Sequence, residues 1–131
     1  MINVTCAIIV DDTNSVLVTQ RSASMKLPLK IEFPGGKIEE GETPSECLVR
    51  EIKEELNLDI KILFEMPANI HHYVEFSINL IPFVCKVIGG SIELREHASY
   101  QWLNSSELLD QDWAEADVPI VENYLSSLNT F

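Results

Sequence analysis

Between residues 2 and 10, Val4, Cys6, Ile8 and Val10 share one face of a two-residue period, and Ala7 and Ile9 make the other face apolar as well. That pattern predicts a strand covered on both sides, and therefore central in its sheet. The polar run Asp11 to Ser15 predicts a turn, after which Val16 to Thr19 returns as a second strand to form a hairpin. Residues 21–31 show no period and contain Pro28, which predicts a loop. Glu32-Phe33-Pro34-Gly35-Gly36 predicts a short extended piece ending in a sharp turn. There the two glycines would take backbone angles closed to other residues and aim carbonyls or amides at a bound ion or phosphate.

Thr43-Pro44-Ser45-Glu46 has the spacing of a capping box with proline at the first helical position. The predicted helix runs from about Pro44 to Leu56, with Leu48, Ile52 and Leu56 as its core stripe and Val49 beside them. Asn57 follows the last turn, where asparagine tolerates the left-handed cap conformation. Further on, Ile60, Ile62 and Phe64 alternate as a strand. A longer strand is predicted from about Ile70 through Val74, Phe76, Ile78 and Leu80. The apolar phase then shifts to Ile81, Phe83, Cys85 and Val87, which predicts a bulge or break at Pro82. Gly89-Gly90 predicts a tight hairpin, and Ser99 to Leu103 a short strand. Asn104 to Glu107 resembles a second capping box, opening a short helix to about Asp110. Asp117 is expected to cap a last helix bearing Val121, Tyr124, Leu125 and Leu128. This order predicts one α/β domain over residues 1–131, a mixed sheet with helices on both faces.

Composition narrows the classes. With 46% apolar and 23% charged residues the chain reads as an ordinary globular domain, and no apolar run approaches the roughly 20 residues of a membrane span. MINVTCAIIVDD carries no basic leader, so no signal peptide is predicted. Cys6, Cys47 and Cys85 are scattered, without C-x-x-C spacing, and predict buried thiols in a reducing cytoplasm. A net charge of −12 argues against nucleic-acid polymers and anionic membranes as partners; oligomeric state is left open. His71 and His72 are adjacent in a predicted strand and point to opposite faces, so they make no two-histidine metal site. Trp102 and Trp113 are read as packing residues.

The chemistry concentrates in residues 37–59, which hold eight acidic side chains against three basic ones. Helical geometry stacks Glu51 over Glu55 with Glu54 on the same flank, an arrangement of like charges that costs stability unless something offsets it. Arg50 lies off the core stripe, one turn from Glu46 and from Glu54. Three carboxylates beside a glycine turn make an all-oxygen site for a hard cation, Mg²⁺ or Mn²⁺. Metal-assisted hydrolysis of a phosphorylated substrate follows.

The same stretch resembles the signature of the Nudix hydrolases, G-x5-E-x7-R-E-U-x-E-E-x-G-U, with U a bulky aliphatic residue. Gly36, Glu42, Arg50, Glu51, Ile52, Glu54, Glu55 and Leu58 fall on its required positions, and Asn57 stands where the family has glycine. The runs VLVTQR, IEFPGGKIEEGETP, REHASYQWL and ADVPIVENYL extend the likeness to the MutT-type branch and its CTP pyrophosphohydrolases. The resemblance implies a Nudix α/β/α sandwich with a mixed, partly antiparallel sheet. It also implies Mg²⁺-dependent hydrolysis of (deoxy)nucleoside triphosphates to the monophosphate and pyrophosphate, as house-cleaning of 8-oxo-dGTP or modified pyrimidine nucleotides. Glu51, Glu55 and the Gly35 carbonyl would hold metal; Glu54 would be a further ligand or the base; Arg50 would orient the carboxylates. Arg21 would hold a phosphate, and Glu96 would bind metal or activate water. Phe33 is equally readable as a wall of the base pocket or as core. Asp117 would meet the base edge as an acceptor, or serve only as a helix cap. Alternative readings are a pyrophosphatase acting on a nucleoside diphosphate derivative, and a nucleotide-binding module without catalysis, which should lack carboxylates that this chain retains.

Overall fold

In chain order the elements are β1 (Ile2–Ile9), β2 (Val16–Gln20), β3 (Ile31–Glu32), β4 (Gly35–Lys37), α1 (Pro44–Leu56), β5 (Leu58–Glu65), β6 (Asn69–His72), β7 (Ser77–Gly90), β8 (Ser99–Leu103) and α2 (Val118–Leu128), with 3₁₀ turns at Ser105–Asp110 and Glu115–Asp117. These come from a computed structural model that describes residues 1–128; the last three residues of the expected domain, 129–131, lie outside the described residues.

β1 occupies the place its two apolar faces predict. β4 pairs with it antiparallel on one side and β7 parallel on the other, and β5 and β6 add antiparallel to β7. β2 lies between β3 and β8 in a second, antiparallel sheet. Ala7 and Ile9 pack with Leu48, Ile52 and Leu56 of α1, whereas Cys6 and Ile8 pack with Ile120, Val121 and Tyr124 of α2. The result is an α/β/α sandwich. Each fully buried leucine or isoleucine of the α1 stripe contributes about 2 kcal/mol relative to exposure.

Several local expectations change. The strand pairing between β1 and β2 is limited to an isolated Val10–Val16 bridge before they diverge into different sheets, so no extended hairpin forms. The strand expected from Ile70 folds back on itself: Tyr73 N–H donates to Phe76 O (2.8 Å) and makes β6–β7 a hairpin with Val74 fully exposed at its tip. At Pro82 β7 does not break. Its neighbour changes there from β6 to β5, and Ile78, Leu80 and Val84 face one core while Ile81, Phe83 and Cys85 face the other. The supposed phase shift is a strand apolar on both faces. Gly89 and Gly90 make no turn either; they pair with Asp59 and Leu58. Gly90 takes φ +85°, and the Asn57 carbonyl lies where its β-carbon would be. Val49 is 42% exposed rather than part of the stripe. On α2, Val121 and Tyr124 are buried but Leu128 is exposed. Cys6, Cys47 and Cys85 are buried free thiols. Among the described residues no helix is long and apolar enough to cross a membrane.

Candidate active site

The acidic helix is phased from both ends. Thr43 Oγ1 accepts from Glu46 N–H (3.2 Å) and Thr43 N–H donates to Glu46 Oε1 (2.8 Å), completing the expected box. At the other end Asn57 adopts φ 58° and donates its N–H to Lys53 O, doing what glycine does at that position. With Leu48, Ile52 and Leu56 turned inward, Glu51 and Glu55 are carried toward β4 and Glu54 outward.

Gly35 and Gly36 are required for closeness of approach rather than for special backbone angles, since neither has positive φ. A β-carbon on Gly35 would strike the Thr5 carbonyl, and one on Gly36 the Glu51 carboxylate. Ala7 N–H donates to Pro34 O and Ile38 N–H to Asn3 O. Gly35 opposite Cys6 is therefore a non-hydrogen-bonded pair, and its carbonyl turns away from β1 on the outer side of an edge strand.

Arg50 is the hub of the acidic cluster. It forks onto Glu42 (Nη2–Oε1 2.6 Å, Nε–Oε2 3.1 Å) and donates from Nη1 to Glu51 Oε1 (2.9 Å) and Glu54 Oε2 (3.2 Å). Glu46, its other candidate partner, is occupied in the capping box. The Arg50 hydrogen bonds, aided by Glu39 N–H, lower the Glu42 carboxyl to about 2.

Glu55 is placed differently. It is 6% exposed, and its Oε2 is buried with no hydrogen-bond partner. Burial first, then the negative charges of Glu51 and Glu96, push its carboxyl up to about 10. A divalent cation here would supply both the missing partner and the missing charge, so the residues fit one. Among the described residues no three acidic, histidine or cysteine side chains already form a cage. Mg²⁺ needs none, because it keeps several waters and fills its shell from substrate phosphates.

One cavity of about 420 Å³ gathers most of the predicted residues: Arg21, Phe33, Gly35, Glu55, Glu96 and Asp117 all line it. Glu51 and Glu54 do not; Glu51 sits against Gly36, and the Glu54 side chain is 59% exposed on the outer flank. Met25 and Lys26, from the loop after β2, also reach the cavity, with Lys26 Nζ 4.9 Å from the Phe76 ring centroid. Phe33 is both wall and core, buried and 4.8 Å from the Trp113 ring. The Asp117 side chain does not cap α2: its 3₁₀ turn runs straight into that helix, and Oδ2 accepts from Phe33 N–H at 2.9 Å. Burial, then the charge of Glu32, hold this carboxyl well above its usual range, against the opposing effects of Phe33 N–H and Arg21.

Sequence reasoning missed three lining residues. Glu32 bonds Arg21 (2.7 Å) and His97 (2.9 Å), and Tyr73 Oη accepts from Ala116 N–H (2.9 Å) beside Asp117. Glu32 and His97 each adjoin a residue that was singled out, Phe33 and Glu96, which was the available signal. Tyr73 offered none.

Comparison with known proteins places the chain in a family. A family model described as NUDIX domain matches residues 1–124. The chain is 30% identical over 126 residues to a CTP pyrophosphohydrolase of Escherichia coli K12, covering 96% of this chain and 93% of that protein. It is 28% identical over 120 residues to the 8-oxo-dGTP diphosphatase of the same organism, covering 92% and 93%. A solution NMR structure of a DNA mismatch repair protein MutT, of the Nudix hydrolase family, from methicillin-resistant Staphylococcus aureus 252 matches with TM-score 0.77. That protein is 40% identical, with 96% of each chain covered.

Proposed function

The chain belongs to the Nudix hydrolase family, and we propose that it hydrolyses nucleoside or deoxynucleoside triphosphates to the monophosphate and pyrophosphate with Mg²⁺ or Mn²⁺, clearing oxidised or otherwise modified nucleotides. The observation that carries this reading is the single cavity that Arg21, Phe33, Gly35, Glu55, Glu96 and Asp117 all line. A phosphate chain, its metal and the base would share that cavity.

In this reading Glu51 and Glu55 hold the cation with the Gly35 carbonyl, and Arg50 keeps Glu51 and Glu54 in place. A cation held there would supply polarisation of phosphoryl oxygens and a lowered pKa for the attacking water. Arg21 receives a phosphate. Glu54 and Glu96 are the exposed carboxylates of the set and are assigned to take the proton from water as it attacks the β-phosphorus, so that the nucleoside monophosphate and pyrophosphate separate. Phe33 presents an aromatic wall to the base. Asp117 gains a capability that an ionised aspartate lacks: burial favours its protonated form, which donates as well as accepts. Its partner on the base edge is therefore not restricted to amino or imino donors.

The test is turnover of dCTP, 8-oxo-dGTP and ADP-ribose side by side with Mg²⁺, with products resolved as pyrophosphate or orthophosphate. A nucleoside triphosphate yielding pyrophosphate is the expected result. Turnover of ADP-ribose alone would replace this reading with that of a nucleoside diphosphate derivative hydrolase.

A further inference from the structure

His97 has no role in the reaction as assigned above, yet its side chain is only 1% exposed and its Nε2 lies 2.9 Å from Glu32 Oε2. The other oxygen of that carboxylate, Oε1, accepts from Arg21 Nη1 at 2.7 Å. An ionised carboxylate only accepts, so Glu32 paired with Arg21 selects the His97 tautomer whose Nε2 carries the proton. Nδ1 is buried without a hydrogen-bond partner. A leucine would fill this space without burying an unpaired nitrogen, so packing alone gives no reason for an imidazole here.

The three side chains come from neighbouring parts of the smaller sheet. Ala98 N–H donates to Gln20 O (2.9 Å), and Thr19 Oγ1 donates to Glu32 O (3.0 Å). The backbone that presents Glu96 to the cavity is therefore fastened one residue later, at His97, to the carboxylate that aligns Arg21. Arg21 is held from its other side too, Nε donating to Lys26 O at 2.6 Å. With Nε and Nη1 engaged, the Nη2 side of the guanidinium is left for a phosphate.

We propose that His97 is a positioning residue: by holding Glu32 it fixes the direction of the Arg21 guanidinium and ties to it the segment carrying Glu96. The proposal rests on the nucleoside triphosphate reading of the site for its kinetic consequences, but its structural core, the alignment of Arg21, does not depend on that reading.

The experiment compares His97→Leu, His97→Phe and His97→Gln, whose amide nitrogen stands near the place of Nε2, in otherwise native protein and in an Arg21→Ala background. Leucine or phenylalanine is expected to raise KM and lower kcat/KM by about 10- to 100-fold, as loss of a supporting hydrogen bond does elsewhere, and glutamine to restore most of it. In the Arg21→Ala background the further loss from His97→Leu should shrink to about twofold, because the path through Arg21 is gone and only the hold on the segment carrying Glu96 remains to be lost. A second readout needs no substrate. The NMR signal of the Arg21 Nε–H group should shift or broaden in the leucine and phenylalanine variants and return in the glutamine variant. If the native enzyme turns over no nucleoside triphosphate, the functional reading fails while this signal still judges the positioning. Unchanged kinetics and signal, a glutamine variant no better than leucine, or an undiminished loss in the Arg21→Ala background would each overturn the proposal. Failure of all three His97 variants to fold would assign the residue to folding alone, and overturn it equally.

Discussion

The carboxylate of Glu51 lies over the α-carbon of Gly36, in the space that a β-carbon on Gly36 would fill. Neither glycine of the β4 turn needs an unusual backbone angle, so this contact is what excludes a side chain at Gly36. Gly36→Ala is expected to push the flexible end of Glu51 away from Arg50 and leave the fold intact, with little change in thermal midpoint. Metal affinity should fall about 10- to 100-fold, the usual scale for disturbing groups that orient a ligand. Isothermal titration with Mg²⁺ beside a thermal melt checks both halves. A large loss of stability with unchanged Mg²⁺ affinity would contradict the placement of Glu51 at a metal.

Arg50 makes its shortest contact with Glu42 and also reaches Glu51 and Glu54. A lysine cannot reproduce that fork, so Arg50→Lys should lower kcat/KM by at least about tenfold. Glu42 has a depressed carboxyl, about 2 against an ordinary 4.5. Its interaction therefore stabilises the folded chain fully above about pH 4.5, and the stabilisation is lost as pH falls from there through about 2. In Arg50→Ala most of that acid dependence should disappear, leaving the smaller part due to Glu39 N–H. Carboxyl NMR titration of Glu42 should show its pKa return toward the ordinary range; a Glu42 that stays near 2 would mean that Arg50 is not the cause.

Asp117 gives the opposite sign. Its carboxyl is raised by burial and by Glu32, so the folded state disfavours its charged form. The stability of the native chain should fall as pH rises from about 3.8 toward the raised value. Asp117→Asn keeps an oxygen for Phe33 N–H and removes the titration, and should gain on the native protein over that range in urea unfolding. Asp117→Ala leaves that buried N–H unpaired and should cost about 1–3 kcal/mol. Both variants should shift the preference among bases more than they slow a good substrate. Unchanged preference would leave Asp117 with only its hydrogen bond to Phe33.

The acidic helix was legible to the residue because its signals are local. Thr43, Pro44 and Glu46 set its start, Asn57 its end, and the Leu48–Ile52–Leu56 period its buried side. β1 was equally legible, since apolar residues on both faces admit few positions in a sheet. The errors came where one residue type serves two physical ends. Gly89 and Gly90 answer a close approach by Asn57 rather than a turn, and Pro82 sits where a long strand changes neighbours rather than where it stops. Val74 continued an apolar alternation in sequence while standing at a hairpin tip. The site divides in the same way. The spacing of Glu51, Glu54 and Glu55 is written within one helix. That Glu32 joins Arg21 to His97, or that Asp117 turns from its helix to Phe33, depends on pairings between segments distant in sequence, and no local pattern records them.

Glu55 carries the last prediction. Its Oε2 is the one buried carboxylate oxygen without a hydrogen-bond partner among the described residues, a costly arrangement that a cation would relieve. Glu55→Gln keeps the shape and removes the charge. Without metal and near neutral pH the variant should match the native chain in stability, because burial already holds the Glu55 carboxyl uncharged there. With Mg²⁺ the native thermal midpoint should rise, since a ligand at 100 times its Kd adds about 2.7 kcal/mol to stability, and the variant should show little of that rise. Turnover should drop by orders of magnitude although the fold survives. Near-normal turnover, or an undiminished Mg²⁺ shift in the variant, would remove Glu55 from the metal site. A variant that melts well below the native chain without metal would show that its carboxylate serves the fold instead.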